Sequence, residues 1–229
     1  EGLDSPGEWY LDRENGVLSY IPREGERMDA VTAVAPFCTE LVRFDGDPEG
    51  GRFVHDITIR GLTFTATDWT LPDNGYSDVQ AAYDIPAVIT ANGAKRLTIE
   101  RCILSHHGNY GISFEKGCTD NRVIGCELSD MGAGGVKIGE SVYPPRDNPN
   151  LLTSGNLVSD SVIHDIGEVY PAACGIIISS AATTRSPTTT STTPITLRFP
   201  TAGRGDTRKP TARGTSSNTT SSTTSDAAC

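Results

Sequence analysis

Ile99-Glu100-Arg101-Cys102-Ile103-Leu104-Ser105-His106-His107-Gly108 is followed by Val123-Ile124-Gly125-Cys126-Glu127-Leu128-Ser129-Asp130-Met131-Gly132. Both stretches run apolar, small, apolar, polar, glycine at the same spacing. The pattern extends in both directions, to Ile59, Leu62, Phe64, Ala66, Asp68 on one side and Val158, Ser161, Ile163, Asp165, Gly167 on the other. The last three copies are each followed by a short apolar run: Gly111-Ile112-Ser113-Phe114, Gly135-Val136-Lys137-Ile138 and Gly175-Ile176-Ile177-Ile178. Cys102 and Cys126 are 24 residues apart, and Cys126 and Ser161 are 35 apart. The surplus falls in the proline-bearing loop from Ser141 to Gly155. A unit this short cannot bury its own apolar face, so it must stack on its neighbours, which is the logic of a parallel β-solenoid. Stacked coils lie about 4.8 Å apart, so equivalent residues form ladders along the axis. The expected fold is all-β, with Ile99, Cys102, Leu104, Val123, Cys126, Leu128, Val158 and Ile163 facing inward.

Composition agrees. The 229 residues include 24 Gly and 14 Pro, which favour short strands and turns. The net charge of −10 disfavours binding to a phosphate backbone, so no nucleic-acid partner is expected. No apolar run approaches the length of a membrane span. The six cysteines are Cys38, Cys102, Cys118, Cys126, Cys174 and Cys229, and none forms a CxxC pair. Cys102 and Cys126 share a ladder position and read as packing residues, not as zinc ligands.

The chain divides into three parts. Residues 1–52 form an entry segment. In it Asn15-Gly16, flanked by Trp9-Tyr10-Leu11-Asp12 and Val17-Leu18-Ser19-Tyr20, signals a hairpin that Pro22 ends. Trp9 and Tyr20 read as cross-strand packing, with sugar stacking as the alternative. Residues 53–180 are the coils. Residues 181–229 form a tail in which 16 Thr and 7 Ser fill 23 of 49 positions, a composition that reads as disordered. Codon arithmetic gives this tail a further reading. One base out of frame, Asn, His, Asp and Tyr codons ending in C become Thr codons, and the Ile codon ATC becomes Ser. Ser186 and Ser191 then decode to isoleucines at the Val158 to Ile163 spacing, and Ser217 and Ser222 repeat it. On that reading the solenoid is truncated by a frameshift after its last coil, Gly175 to Ser179. The exposed edge would then leave the chain poorly stable and inactive.

One ladder carries chemistry. His106, Asp130 and Asp165 occupy equivalent positions, each two residues before Gly. In-register coils make Asp130 and Asp165 neighbours at roughly 5 Å between backbones. One of two such carboxyls tends to keep its proton, and a spacing of roughly 5–5.5 Å between carboxyls suits retaining glycosidic cleavage. Asp before Gly is equally ordinary turn chemistry, and paired carboxylates also suit Ca²⁺. His106, His164, Glu140 and Glu168 lie near this edge as candidate substrate-binding groups.

The runs from Glu100-Arg101-Cys102 to Gly108-Asn109-Tyr110-Gly111-Ile112, Gly117-Cys118-Thr119-Asp120-Asn121 and Asp130-Met131-Gly132-Ala133-Gly134-Gly135-Val136-Lys137-Ile138-Gly139-Glu140 resemble bacterial right-handed parallel β-helix repeat proteins. Pro6-Gly7-Glu8-Trp9-Tyr10-Leu11-Asp12 is similar to the segment that precedes the helix in those proteins. The resemblance covers about residues 3–180. It implies a right-handed β-helix and an exported, extracellular or periplasmic carbohydrate-active protein, nearest to glycoside hydrolases of the fucosidase and xylanase type. It implies a polysaccharide or oligosaccharide partner and a catalytic acid pair, carried here to Asp130 and Asp165. No cofactor or metal site is expected, with Ca²⁺ as the exception under a lyase reading. Two other functions stand beside hydrolysis: a non-catalytic carbohydrate-binding or surface solenoid, and a Ca²⁺-dependent polysaccharide lyase.

Overall fold

The computed structural model describes all residues except 1–2, 13, 69–74, 78, 143, 146, 183–189, 192–194 and 199–229. The chain separates into two compact units, residues 1–35 and 36–229.

In the first unit Trp9–Asp12 pairs antiparallel with Val17–Tyr20. Trp9 stands directly opposite Tyr20, and Leu11 opposite Leu18. Gly16 takes φ +66° in the turn, as the Asn15-Gly16 signal required. The Asp12 carboxylate accepts N–H bonds from Glu14 and Asn15 and ties the loop.

The second unit is all-β and solenoid-like, built from stacked parallel sheets. The first sheet holds Thr58–Arg60, Thr98–Glu100, Arg122–Ile124 and Leu157–Ser159. The second holds Thr63–Thr67, Ile103–His107, Glu127–Met131, Val162–Ile166 and Thr190–Ser191. The third holds Val42–Asp45, Ala87–Asn92, Tyr110–Phe114, Val136–Gly139, Ile176–Ser179 and Ile195–Arg198. Every pairing among these strands is parallel.

The register is the one the repeat dictates. Ile59, Ile99, Val123 and Val158 align, as do Phe64, Leu104, Leu128 and Ile163. All eight residues expected to face inward are buried. Leu62, aligned with Cys102 in the pattern, is 52% exposed, because it lies on the first coil and no strand pairs beyond it. Cys102, Cys118, Cys126 and Cys174 are buried free thiols. Burial pushes the Cys118 thiol up to about 12, so it is inert packing.

Asparagines seal one corner of the coils. Asn121 Nδ2 donates to Asn156 Oδ1 at 2.9 Å and to the Ala94 carbonyl at 3.0 Å. Asn121 Oδ1 accepts from the Leu97 N–H at 2.9 Å, and Asn156 Nδ2 donates to the Cys118 carbonyl at 3.0 Å. At this corner the Leu97 and Asn121 N–H groups find their acceptors in the Asn121 and Asn156 side chains, while the Ala94 and Cys118 carbonyls, already bonded to the Thr119 and Ser154 N–H groups, take the amides as second donors.

Two boundaries differ from expectation. Val42–Asp45 already pairs with Ala87–Asn92, so the solenoid begins ahead of residue 53. Parallel pairing also continues past residue 180. Ala181–Ala182 joins Thr153–Ser154, Thr190–Ser191 joins Val162–Ile166, and Ile195–Arg198 joins Ile176–Ser179. Ile195 aligns with Ile176 and Leu197 with Ile178. The alternation Ile195-Thr196-Leu197-Arg198 is a strand signal that the Thr/Ser bulk of the tail conceals. The edge of Ile176–Ser179 is therefore covered. Residues 199–229, with Ser217, Ser222 and Cys229, lie outside the described residues.

Candidate functional site

In the third sheet alternate residues face outward. Val136 and Ile138 enter the core, so Lys137 points away from it, in register with Ser113 on one side and Ile177 on the other. The next outward position along the preceding strand is Glu115, directly after the buried Phe114. The segment Val79–Pro86 crosses this outer face. Its contacts hold it down: Tyr110 Oη donates to the Ala81 carbonyl at 2.5 Å, and the Tyr83 hydroxyl donates to the Gly139 carbonyl. Tyr76 Oη donates to Asp84 Oδ1 at 2.6 Å and shapes the segment itself. Ala81, Ala82 and Ile85 of the segment join Ala87, Tyr110, Tyr170 and Ile177 in a second apolar cluster.

Between segment and sheet lies a cavity of about 540 Å³. Ser113, Glu115 and Lys137 line it from the sheet, Val79, Tyr83, Asp84 and Pro86 from the crossing segment, and Gly139, Glu140 and Ser141 at the strand end. Lys137 Nζ donates to the carbonyls of Tyr83 at 2.9 Å and Ile85 at 2.5 Å. It also lies 5.2 Å and 5.1 Å from the ring centroids of Tyr83 and Tyr110. Burial pulls its pKa down to about 8, although the Glu115 charge opposes the shift. Burial raises the Glu115 carboxyl above the usual range, and the Glu140 charge raises it further. Glu140 Oε1 accepts the Lys116 N–H at 3.0 Å, which fixes this second carboxyl beside the strand carrying Glu115.

The sequence-derived candidates lie largely elsewhere. His106, Asp130 and Asp165 take equivalent positions on paired strands of the second sheet, as the repeat requires. All three have left-handed backbones, with φ of 61°, 52° and 48°. Asp and His tolerate that region better than most residues, so the turn chemistry weighed beside the acid pair is present. Each aspartate is engaged by a histidine: His106 Nδ1 bonds Asp130 Oδ2, and His164 Nδ1 lies 2.8 Å from Asp165 Oδ2. His164 Nε2 also lies 3.5 Å from Glu127. All of these groups except His164 are exposed. Glu168 is exposed in the loop after Val162–Ile166, its N–H bonded to the Met131 carbonyl. Of the six named candidates, Glu140 alone lines the cavity.

Glu115, Lys137, Asp84 and Tyr83 escaped the sequence reading. Lys137 had a usable signal, a lone cation inside the apolar strand Val136-Lys137-Ile138. Glu115 follows Phe114 at the next outward position. Among the described residues no group of three or more His, Cys, Asp or Glu side chains gathers to hold a metal ion.

Stacked parallel sheets around an apolar core, with a lined cavity on one outer face, define a solenoid-like all-β protein. No family model matches the chain, and no curated protein matches it in sequence. Its fold is similar to a solved structure titled "Glycoside hydrolase", with a TM-score of 0.69 and 22% sequence identity. The match covers 77% of this chain and 37% of that one, so the chain spans little more than a third of that protein's length.

Proposed function

We propose that the protein is carbohydrate-active and that the Glu115–Glu140 cavity cleaves glycosidic bonds. One observation carries the reading: a partly buried carboxyl, raised toward its acid form by burial and a second carboxylate, lines an open cavity. Glycosidic cleavage needs one carboxyl that donates a proton to the departing oxygen and one that acts while ionised. Glu115 is the donor and Glu140 its partner. Ser113, Tyr83 and Asp84 supply the polar and aromatic surface that orients sugar hydroxyls. The cavity residues run from 79 to 141, with paired strands before and after them. The fold likeness to a glycoside hydrolase supports the substrate class.

Under the same proposal the coils wind as a right-handed parallel β-helix, because parallel crossover connections are almost always of that hand. Export to the cell exterior or periplasm is proposed from the repeat resemblance. Asp130 and Asp165 stand as the competing acid pair, favoured by their matched positions on paired strands. The frameshifted origin of residues 181–229 rests on the codon argument, and the nucleotide sequence around codons 178–186 decides it.

The test is incubation with a panel of neutral and acidic polysaccharides, with and without chelator. New reducing ends without unsaturated products support hydrolysis. Unsaturated products abolished by chelator support a Ca²⁺-dependent lyase. Binding without turnover supports a carbohydrate-binding solenoid.

A further inference from the structure

We propose that Asn92 is a positioning residue for Glu115: its Oδ1 accepts the proton of the Glu115 carboxyl and holds that group in its acid form. The inference rests on the reading of Glu115 as proton donor.

Asn92 ends the strand Ala87–Asn92, which pairs in parallel with Tyr110–Phe114. Ala91 aligns with Phe114, and the Glu115 N–H donates to the Ala91 carbonyl at 2.8 Å. Asn92 and Glu115 therefore occupy consecutive rungs of one ladder, one step beyond a buried pair and on the outer face. The orientation of the amide is fixed from the other side. Asn92 Nδ2 faces Asp45 Oδ1 at 3.5 Å and the Gly46 carbonyl at 3.4 Å, both acceptors. Turning the amide over would set oxygen against oxygen, so Oδ1 must point away from them. That oxygen is buried and has no donor among the described residues. A buried amide oxygen without a donor costs free energy and calls for an explanation. An ionised Glu115 has nothing to donate, whereas a protonated Glu115 carries the one hydrogen that Asn92 Oδ1 lacks.

The charges around Glu115 are mixed. Glu140 and Lys137 face it from the neighbouring strand, Arg43 and Glu40 act from the side of Val42–Asp45, and Glu140 reinforces the acid form while Lys137 and Arg43 oppose it. A hydrogen-bond acceptor for the protonated form adds to the first set without adding a charge.

The experiment is a carbon-detected NMR titration of the Glu115 carboxyl in the ligand-free protein, assigned with E115Q, in wild type, N92L and N92D. Leucine keeps the burial and removes the acceptor. The Glu115 titration should shift to lower pH in N92L and to higher pH in N92D. In wild type the Asn92 side-chain amide signals should titrate with the same midpoint as Glu115. Burial alone predicts no shift or an upward shift in N92L, and that result overturns the proposal, as does an Asn92 amide that ignores the Glu115 titration. No turnover is read, so the proposal can fail while sugar release still depends on Glu115. It can also hold in a protein that releases no sugar.

Discussion

Lys137 Nζ donates to the Ile85 carbonyl at 2.5 Å, joining the middle of the third sheet to the segment that crosses it. A second bond to the Tyr83 carbonyl at 2.9 Å completes the tie. A lysine in so buried a place is costly unless its donors are used, and here two go to backbone carbonyls. Lys137 thus sets the wall of the cavity and opposes the acid form of Glu115 beside it.

K137M should free that wall. The two bonds from Lys137 to the Tyr83 and Ile85 carbonyls are lost, at about 1–2 kcal/mol net once relief of the buried charge is counted. Amide exchange at Ala82 and Ile85 should speed up while the core strands keep their protection. Unchanged exchange there would mean that the tyrosine contacts alone hold the segment.

Gly139 stands at φ +94°, and a Cβ there would lie 1.6 Å from the Ser179 carbonyl oxygen. G139A should cost about 3 kcal/mol or more, from a strained backbone and a clash with backbone that has nowhere to move. The thermal midpoint reads this. A second effect should be the displacement of Glu140, the adjacent residue.

N121A removes the amide that serves Leu97, Ala94 and Asn156 at once. About 1–3 kcal/mol of stability should be lost, since the buried Leu97 N–H becomes an orphan, while the Ala94 carbonyl keeps the Thr119 N–H and Asn156 Oδ1 keeps the Asn121 N–H. Urea unfolding measures it. N121L should be no better, because shape is restored but the partners are not.

The repeat made most of this fold legible. Its columns predicted the register of Ile99 with Val123 and Val158, and the burial of Cys102 and Cys126, because inward positions in a stacked coil must be apolar or small. The cavity was less visible. A repeat shows which positions face inward, but not which outward face a long insertion covers. The segment Val79–Pro86 has no repeat signature, and it is this segment that turns the outward positions Ser113, Glu115 and Lys137 into the floor of a cavity. Asp130 and Asp165 drew attention because equivalent positions on successive coils are easy to see. Glu115 and Glu140 hold unlike positions, one just past a strand and one past the glycine that ends the next, so no alignment of coils pairs them. The tail misled through composition, since four alternating residues at Ile195–Arg198 are lost among Thr and Ser.

His107 gives the fold an acid limit. Its ring is buried, Nε2 lies 3.1 Å from the Phe64 carbonyl, and burial lowers its pKa from 6.5 to about 4. The unfolded chain binds the proton first as pH falls, so stability present above about 6.5 drains away down to about 4. The loss is about 3 kcal/mol at most. Urea midpoints measured across this range should fall with pH, and the slope should flatten in H107Q. An unchanged slope in H107Q would place the acid sensitivity elsewhere.

Sugar release compared side by side in wild type, E115Q, E140Q, D130N and D165N tests the central claim most directly. Loss of a general acid or its partner costs at least about 10²-fold. The account predicts that loss in E115Q and E140Q, near wild-type rates in D130N and D165N, and a wild-type rate that falls as pH rises and Glu115 ionises. Full activity in E115Q, with the loss in D130N or D165N instead, would contradict it and move the chemistry to the second sheet.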